Sequence, residues 1–214
     1  MAAKRILVVG ASQGTGALVV KGAIARGLRV TAFARSPEKL RLEHSFLDKR
    51  VGDFHDPASV AAAVPGHDAV VVTASASSLK QFKDNPAFFS SGTGHVVDAM
   101  KASGVKRLVI LSALGVGETR KLVNVVARLV LVDGLLKGAF RDHEVQERVA
   151  MESGLEWVIA RPGRLTDGPG ARRYVKTTEV TKVPNAIARA DVADFLLEAA
   201  TTDAWVRKAV QIGG

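Results

Sequence analysis

A short apolar run, Ile6-Leu7-Val8-Val9, leads directly into a glycine-bearing loop, Gly10-Ala11-Ser12-Gln13-Gly14-Thr15-Gly16. Ala17 to Arg26 then carries a helical pattern, Gly27 ends it, and Leu28 to Phe33 reads as a second strand. Strand, tight turn, helix and strand in that order form the unit that holds a dinucleotide. A pyrophosphate needs backbone N–H donors, and a helix N-terminus leaves several unpaired and adds a favourable dipole. Glycine lets the backbone turn tightly and approach the phosphates with no Cβ in the way. The spacing gains its weight from context, because the loop follows one strand pattern and precedes a helical one. Gly10, Ser12, Gln13, Gly14, Thr15 and Gly16 are therefore the expected pyrophosphate contacts.

The same alternation continues along the chain. Pro37 opens a short helix with Ser36 as its N-cap, and Val51-Gly52-Asp53 reads as a short third strand. Asp56-Pro57 starts a helix through Val64, and Asp68 to Thr73 is a buried fourth strand. A polar loop covers Ala74 to Asn85, and His95 to Ser103 is helical with Gly104 closing it. Arg107 to Leu111 is a fifth strand that ends at Ser112. A mostly apolar helical stretch runs from about Arg120 to Ser153, with a break expected near Gly134 or Gly138. Leu155 to Ala160 is a sixth strand halted by Arg161-Pro162-Gly163, and an irregular loop from Arg164 leads to an extended piece around Tyr174. Asp191 to Ala200 is a helix, and Ala209 to Ile212 is a last edge strand. Apolar strands alternating with helices predict parallel strands joined by crossover helices. The expectation is one α/β domain over residues 1–214: a doubly wound, Rossmann-type, mostly parallel sheet with helices on both faces.

Composition removes several classes of function. There are no cysteines, so disulfides, thiolate metal sites and a cysteine nucleophile are excluded. With no disulfide framework the cytoplasm is the expected compartment. The five histidines, His44, His55, His67, His95 and His143, show no paired ligand spacing, and no metal is expected. Four large apolar residues between Arg5 and Gly10 are too few for a signal-peptide core. The apolar stretch Leu122 to Leu136 contains Asn124, Arg128 and Asp133, which suits core or a partner interface better than a membrane anchor. The formal charge of +9 raises nucleic acid as a partner. However, the cations are spread over Lys80/Lys83, Arg120/Lys121, Lys137/Arg141 and Arg172/Arg173/Lys176, with no aromatics interleaved for stacking. A basic surface also draws in phosphorylated cofactors, which suffices. Gly92-Thr93-Gly94 reads as a loop and helix start rather than a second phosphate site. A homodimer is compatible with the chain and not specified by it.

The residue after the second strand chooses between dinucleotides. A carboxylate there would bond a free ribose 2′-hydroxyl and repel a 2′-phosphate. This chain has Arg35 and Ser36, and Arg35 follows Gly16 at close to the expected offset of about 20 residues. A guanidinium fork matches phosphate oxygens, so NADPH is expected over NADH. After the third strand, Asp53 offers an acceptor for the adenine amine and Phe54 an apolar wall. Asp53 serves equally well as a turn residue. Thr73-Ala74-Ser75 is small and polar, as a loop near the ribose and pyrophosphate must be.

With these residues in place, the chain resembles the atypical short-chain dehydrogenase/reductases, and more narrowly the NAD(P)H-binding group of biliverdin-IXβ reductase and flavin reductase. The resemblance rests on the glycine loop, Arg35, Val51-Gly52-Asp53, Ser112-Ala113 and Asp142-His143. It continues through Glu152-Ser153-Gly154-Leu155, Arg161-Pro162-Gly163 and Arg189-Ala190-Asp191-Val192-Ala193. The group often has glycine where Gln13 stands. The resemblance implies a doubly wound fold and an NAD(P)H cofactor. It matches His143 to a histidine near the reacting centre and puts Pro162-Gly163 beside the cofactor and acceptor. Ser112, at the end of the fifth strand, can bond the nicotinamide carboxamide or the acceptor, and Arg164 can receive an anionic acceptor or serve equally well as a loop charge. The reductase of the group carries histidine where this chain has Gly163.

The larger short-chain enzymes use a Tyr-x-x-x-Lys pair to pass a proton to a carbonyl. Here the one tyrosine, Tyr174, is followed four positions later by Thr178. Reduction of an unactivated ketone is therefore disfavoured. A flat conjugated acceptor, whether flavin, quinone or tetrapyrrole, takes a hydride without a strong protein acid. An NADPH-binding regulator without turnover, as in NmrA-like proteins, fits the missing pair equally well.

Overall fold

Alternate residues of a strand face opposite sides of the sheet, so a strand apolar at every position must be covered on both. In a computed structural model, which describes residues 4–76, 84–125 and 128–214, the first strand β1 (Arg5–Val9) does this. Ile6 and Val8 enter one core, and Leu7 and Val9 enter the other. The parity repeats in β4 (Ala69–Val72), β5 (Arg107–Leu111) and β6 (Glu156–Pro162).

β2 (Arg29–Ala34) and β3 (Leu47–Val51) extend the sheet on one side, and β10 (Lys208–Gly213) and β8 (Val175–Thr177) on the other. The order is β3-β2-β1-β4-β5-β6-β10-β8, and only β8 runs antiparallel. β7 (Arg164–Thr166) and β9 (Ala186–Ala188) form a small parallel pair of their own. Helices α1 (Gly14–Ala25) and α5 (Arg189–Thr201) cover one face. The other face is covered by α2 (Pro57–Ala63), α3 (Phe88–Ser103) and α4 (Lys137–Glu152). This is a single Rossmann-like α/β domain, as the sequence predicts.

Several boundaries differ from the sequence expectation, each for a physical reason. The third strand begins earlier than expected, at Leu47, and ends at Val51, because β3 is an edge strand whose Asp48, Lys49 and Arg50 need no covering on the open side. Helix α1 begins at Gly14, so Gly14, Thr15 and Gly16 form its first turn. Pro37–Lys39 is a 3-10 turn, and the Ser36 side chain does not cap it. Gly92-Thr93-Gly94 lies inside α3, which starts well before His95. A Cβ on Gly92 would sit 2.2 Å from the Phe54 ring, so glycine serves close packing there. Arg161 and Pro162 continue β6 instead of stopping it. β10 is not an edge, since β8 pairs along it.

Other expectations hold. β5 spans Arg107–Leu111, α2 follows Asp56, whose carboxylate accepts from Ala58 N at 3.1 Å, and Gly104 ends α3 at φ +73°. The long helical stretch resolves into a 3-10 turn (Gly117–Leu122), a π-helical segment (Arg128–Leu135) with non-helical angles at Gly134, and α4. Lys80 and Lys83 lie outside the described residues, as does part of the 74–85 loop and part of the apolar 122–136 stretch. Among the described residues no helix is long and apolar enough to cross a membrane.

Candidate functional site

β2 and β4 flank β1 on opposite sides, so the loops leaving β1 and β4 diverge and open a crevice at the carboxyl ends of the strands. The cleft there measures about 650 Å³, within the usual range for a cofactor site. Its floor is the β1–α1 turn. Gly10 has φ +87°, and a Cβ on it would lie 2.6 Å from the Ala74 backbone. Only glycine lets the turn close against the loop after β4. Thr73 Oγ1 donates to Val9 O at 2.9 Å and so braces that turn. At α1 the N-cap residue Gln13 makes no side-chain capping bond, and no acidic residue stands in the first turn. The result is a helix end ready for an anion.

Gly10, Ser12, Gln13, Gly14, Thr15, Arg35, Ser36, Asp53, Phe54, Thr73, Ala74 and Ser75 come together around this cleft. Gly16 does not line it: a Cβ there would meet Gly10 O and Thr73 Oγ1, so its role is to bring α1 close under the turn. Arg35 is exposed at the end of β2, and Lys39 lines the same rim from the 3-10 turn. Asp53 uses Oδ1 to accept from His55 N at 2.9 Å, an Asx turn at the cleft wall.

His55 is a site residue that the sequence reading passed over. It lines the cleft, packed against Phe88 (ring centroids 4.6 Å) and Phe54 (5.2 Å). The Asn85 amide nitrogen, 3.4 Å away, can only donate, so Nδ1 accepts and the proton sits on Nε2. Nε2 is buried and has no hydrogen-bond partner among the described residues. Burial also holds the imidazole below its ordinary pKa, against the pull of Asp53. A buried N–H without an acceptor is costly, and a heterocycle in the cleft would satisfy it. The cradle at Gly10, the open helix end, the cations of the rim and this orphan donor all fit a dinucleotide.

The remaining predicted residues lie beyond the cleft wall. Ser112 follows Leu111, which lines the cleft, but its own side chain is buried and donates to Glu147 Oε1 at 2.6 Å. Glu147 also receives Arg161 Nε at 3.0 Å and Nη2 at 2.6 Å, and Arg161 Nη1 reaches Glu118 at 2.5 Å. Burial alone would depress the Arg161 guanidinium, but its two carboxylates overcome this and hold it charged. The Ser112 hydroxyl proton is therefore committed, and only its lone pairs are open to a ligand.

His143 stands behind the cleft on α4, its ring stacked on Phe89 at 3.8 Å. Gln146 Nε2 donates to Thr93 Oγ1 at 3.0 Å, which turns its Oε1 toward His143 Nδ1 at 2.8 Å. Nδ1 is thus the protonated nitrogen. Burial lowers the imidazole pKa, against the pull of Gln146, Glu147 and Asp142, and so favours the neutral ring. Pro162 is buried within β6. Gly163 abuts Asn185, whose carbonyl would lie 2.6 Å from a Cβ at 163. Arg164 is exposed on β7, and Leu165, its neighbour, lines the cleft instead. Tyr174 faces away from the cleft: its hydroxyl donates to Asp194 at 3.1 Å, and burial followed by the Asp194 charge pushes the phenol pKa up.

Arg189 and Asp167 complete the lining. Sequence reading quotes Arg189 only within a longer motif, and nothing local connects it to a loop near residue 14. Among the described residues there is no group of three or more His, Cys, Asp or Glu able to hold a metal ion.

Residues 10–203 match the model of a family described as NAD(P)H-binding. An uncharacterized chloroplastic protein of Arabidopsis thaliana is 30% identical over 224 aligned residues, covering 91% of this chain. The match spans only 64% of that relative's own length. ChuY, an anaerobilin reductase of Escherichia coli O157:H7, superimposes with a TM-score of 0.82 at 23% identity, over 98% of this chain and 97% of its own. A Veillonella parvula short-chain dehydrogenase/reductase, solved in complex with NADP, gives 0.81 at 19% identity, over 99% and 94%. At these identities the structures share the fold. The family match covers most of the chain, and the chain belongs to the NAD(P)H-binding family.

Proposed function

We propose that this member of the NAD(P)H-binding family is a reductase that uses NADPH, in preference to NADH, to reduce a flat conjugated acceptor such as a flavin, quinone or tetrapyrrole. The observation that carries the cofactor choice is the pair of cations, Arg35 and Lys39, on the rim at the end of β2, where no carboxylate stands to read a free ribose hydroxyl. When bound, NADPH supplies the hydride. The chain binds and orients. The β1–α1 turn and the α1 amides take the pyrophosphate, and Phe54, Phe88 and His55 receive the adenine. Ser112, its proton held by Glu147, accepts from an amide N–H such as that of the nicotinamide carboxamide.

The acceptor class follows from what the protein groups can donate. Tyr174 donates its hydroxyl to Asp194, His143 Nδ1 is bonded to Gln146, and the Ser112 hydroxyl donates to Glu147. An acceptor whose reduced form delocalises charge draws its proton from solvent and needs none of them. Alignment of two flat rings contributes up to roughly 7–11 kcal/mol to such a transfer. ChuY, an anaerobilin reductase of the same fold, makes tetrapyrroles a reasonable class to assay first.

The test is NADPH oxidation by the purified protein with FMN, a small quinone and biliverdin as separate acceptors, each repeated with NADH. Acceptor-dependent oxidation that prefers NADPH supports the proposal. Tight NADPH binding without oxidation of any acceptor would replace it with a regulator that reports the cofactor by binding.

A further inference from the structure

Arg189 opens α5 and reaches the glycine loop from the far side of the chain. Its Nε lies 4.0 Å from the point a Cβ on Gly14 would occupy, and Gly14 is the first residue of α1. The guanidinium therefore stands beside the helix end that lacks both a side-chain cap and an acidic first turn. Its present partner is Asp167: Nη1 meets Oδ1 at 2.7 Å. Asp167 follows β7, its side chain is 91% exposed, and it too lines the cleft. An exposed pair of this kind is held weakly in water. A pyrophosphate at the α1 N-terminus would offer the same guanidinium several anionic oxygens in a fork-matching arrangement.

We infer that Arg189 is a pyrophosphate ligand and that Asp167 is its built-in competitor, exchanged when the dinucleotide binds. This rests on the reading of the cleft as the NADPH site, and it divides the labour of the cations there. Arg35 and Lys39 sit at the end of β2 and read the group that distinguishes NADPH from NADH. Arg189 sits at the glycine loop and reads the group that the two share. Asp167 lowers affinity for both, by occupying Arg189 and by placing a negative charge in a cleft that must accept phosphates.

Equilibrium binding separates these roles without any assay of turnover. The probes are NADPH, NADH and adenosine 2′-monophosphate, which has the adenine and the 2′-phosphate but no pyrophosphate. Arg189→Ala is expected to weaken NADPH and NADH alike, by about tenfold, and to leave adenosine 2′-monophosphate unchanged. Asp167→Asn is expected to tighten both dinucleotides by about two- to fivefold. This sign is opposite to that of a pair which merely holds the fold together. Asp167 is exposed, so this second variant stands even where Arg189→Ala folds poorly. Unchanged dinucleotide affinity in Arg189→Ala, or weaker binding in Asp167→Asn, overturns the inference while leaving the NADPH site in place. Failure of the wild-type protein to bind either dinucleotide overturns both.

Discussion

Arg35 is the residue on which the proposed preference for NADPH turns. It is exposed at the cleft rim with Lys39, and no acidic residue follows β2 before Glu38. A charge-assisted bond to a phosphate contributes about 1.5–3 kcal/mol. Arg35→Ala should therefore weaken NADPH by about ten- to a hundredfold and NADH by much less. Equal losses for the two, measured by titration of intrinsic fluorescence, would remove the NADPH assignment. Lys39 follows Arg35 by four residues and was within reach of sequence reasoning, since a second cation beside a phosphate-reading arginine is a plain electrostatic signal. His55 was harder to see. Its importance lies in an Nε2–H without an acceptor among the described residues, which depends on Asn85 holding Nδ1. Arg189 was illegible because its meaning comes from Gly14, a residue brought close only by the packing of α5 on α1.

Among the elements, strands buried on both faces were the legible ones. β5 and its end at Ser112 follow from a continuous apolar run bounded by polar residues. β3 was not, because an edge strand with Asp48, Lys49 and Arg50 has no such run. The start of α3 was misplaced for a different reason. Its cap comes from another element: Asp142 on α4 accepts from Phe89 N at 2.6 Å, from Ser90 N at 3.2 Å and from the Ser90 hydroxyl. The N-cap residue, Ala87, has no side-chain acceptor. The carboxylate is buried and meets the positive end of α3, so it joins the two helices electrostatically as well as by packing. Asp142→Ala would orphan two backbone donors in a site closed to water. The expected cost is about 2 kcal/mol, read as a lower urea midpoint. Since α3 carries Phe88 to the cleft wall, NADPH affinity should fall with it. An unchanged midpoint would mean that α3 holds its first turn without Asp142.

At the scale of the whole molecule, three histidines titrate in the same direction. Burial lowers His55, His67 and His143 below the ordinary value of 6.5, and in each case outweighs the neighbours that favour the charged form. Each is built into a neutral arrangement: His67 bridges Val64 O and Thr31 Oγ1, and His143 joins Gln146 while stacked on Phe89. Between its folded and unfolded pKa, each histidine binds more protons in the unfolded chain. Stability must therefore rise with pH through that interval. It is fully present above about 6.5 and declines as pH falls below that value. Glu118 and Glu198 are shifted down from 4.5, chiefly because Arg161 and Lys176 outweigh burial, so their contribution is lost only in more acidic solution. The interval between pH 6.5 and about 5 thus belongs to the histidines. The net charge of +9 pushes the same way, since each proton gained adds to repulsion across an already basic surface. Urea midpoints should be flat from pH 8 to about 7 and fall steadily from about 6.5 to 5. His143→Phe, which keeps the stack on Phe89, should be less stable at neutral pH through the lost Gln146 bond and shallower in slope below it. A wild-type midpoint that stays level down to pH 5 would show that these imidazoles accept protons in the folded protein without penalty, and that the closed surroundings of His55 and His143 open to water more readily than their packing implies.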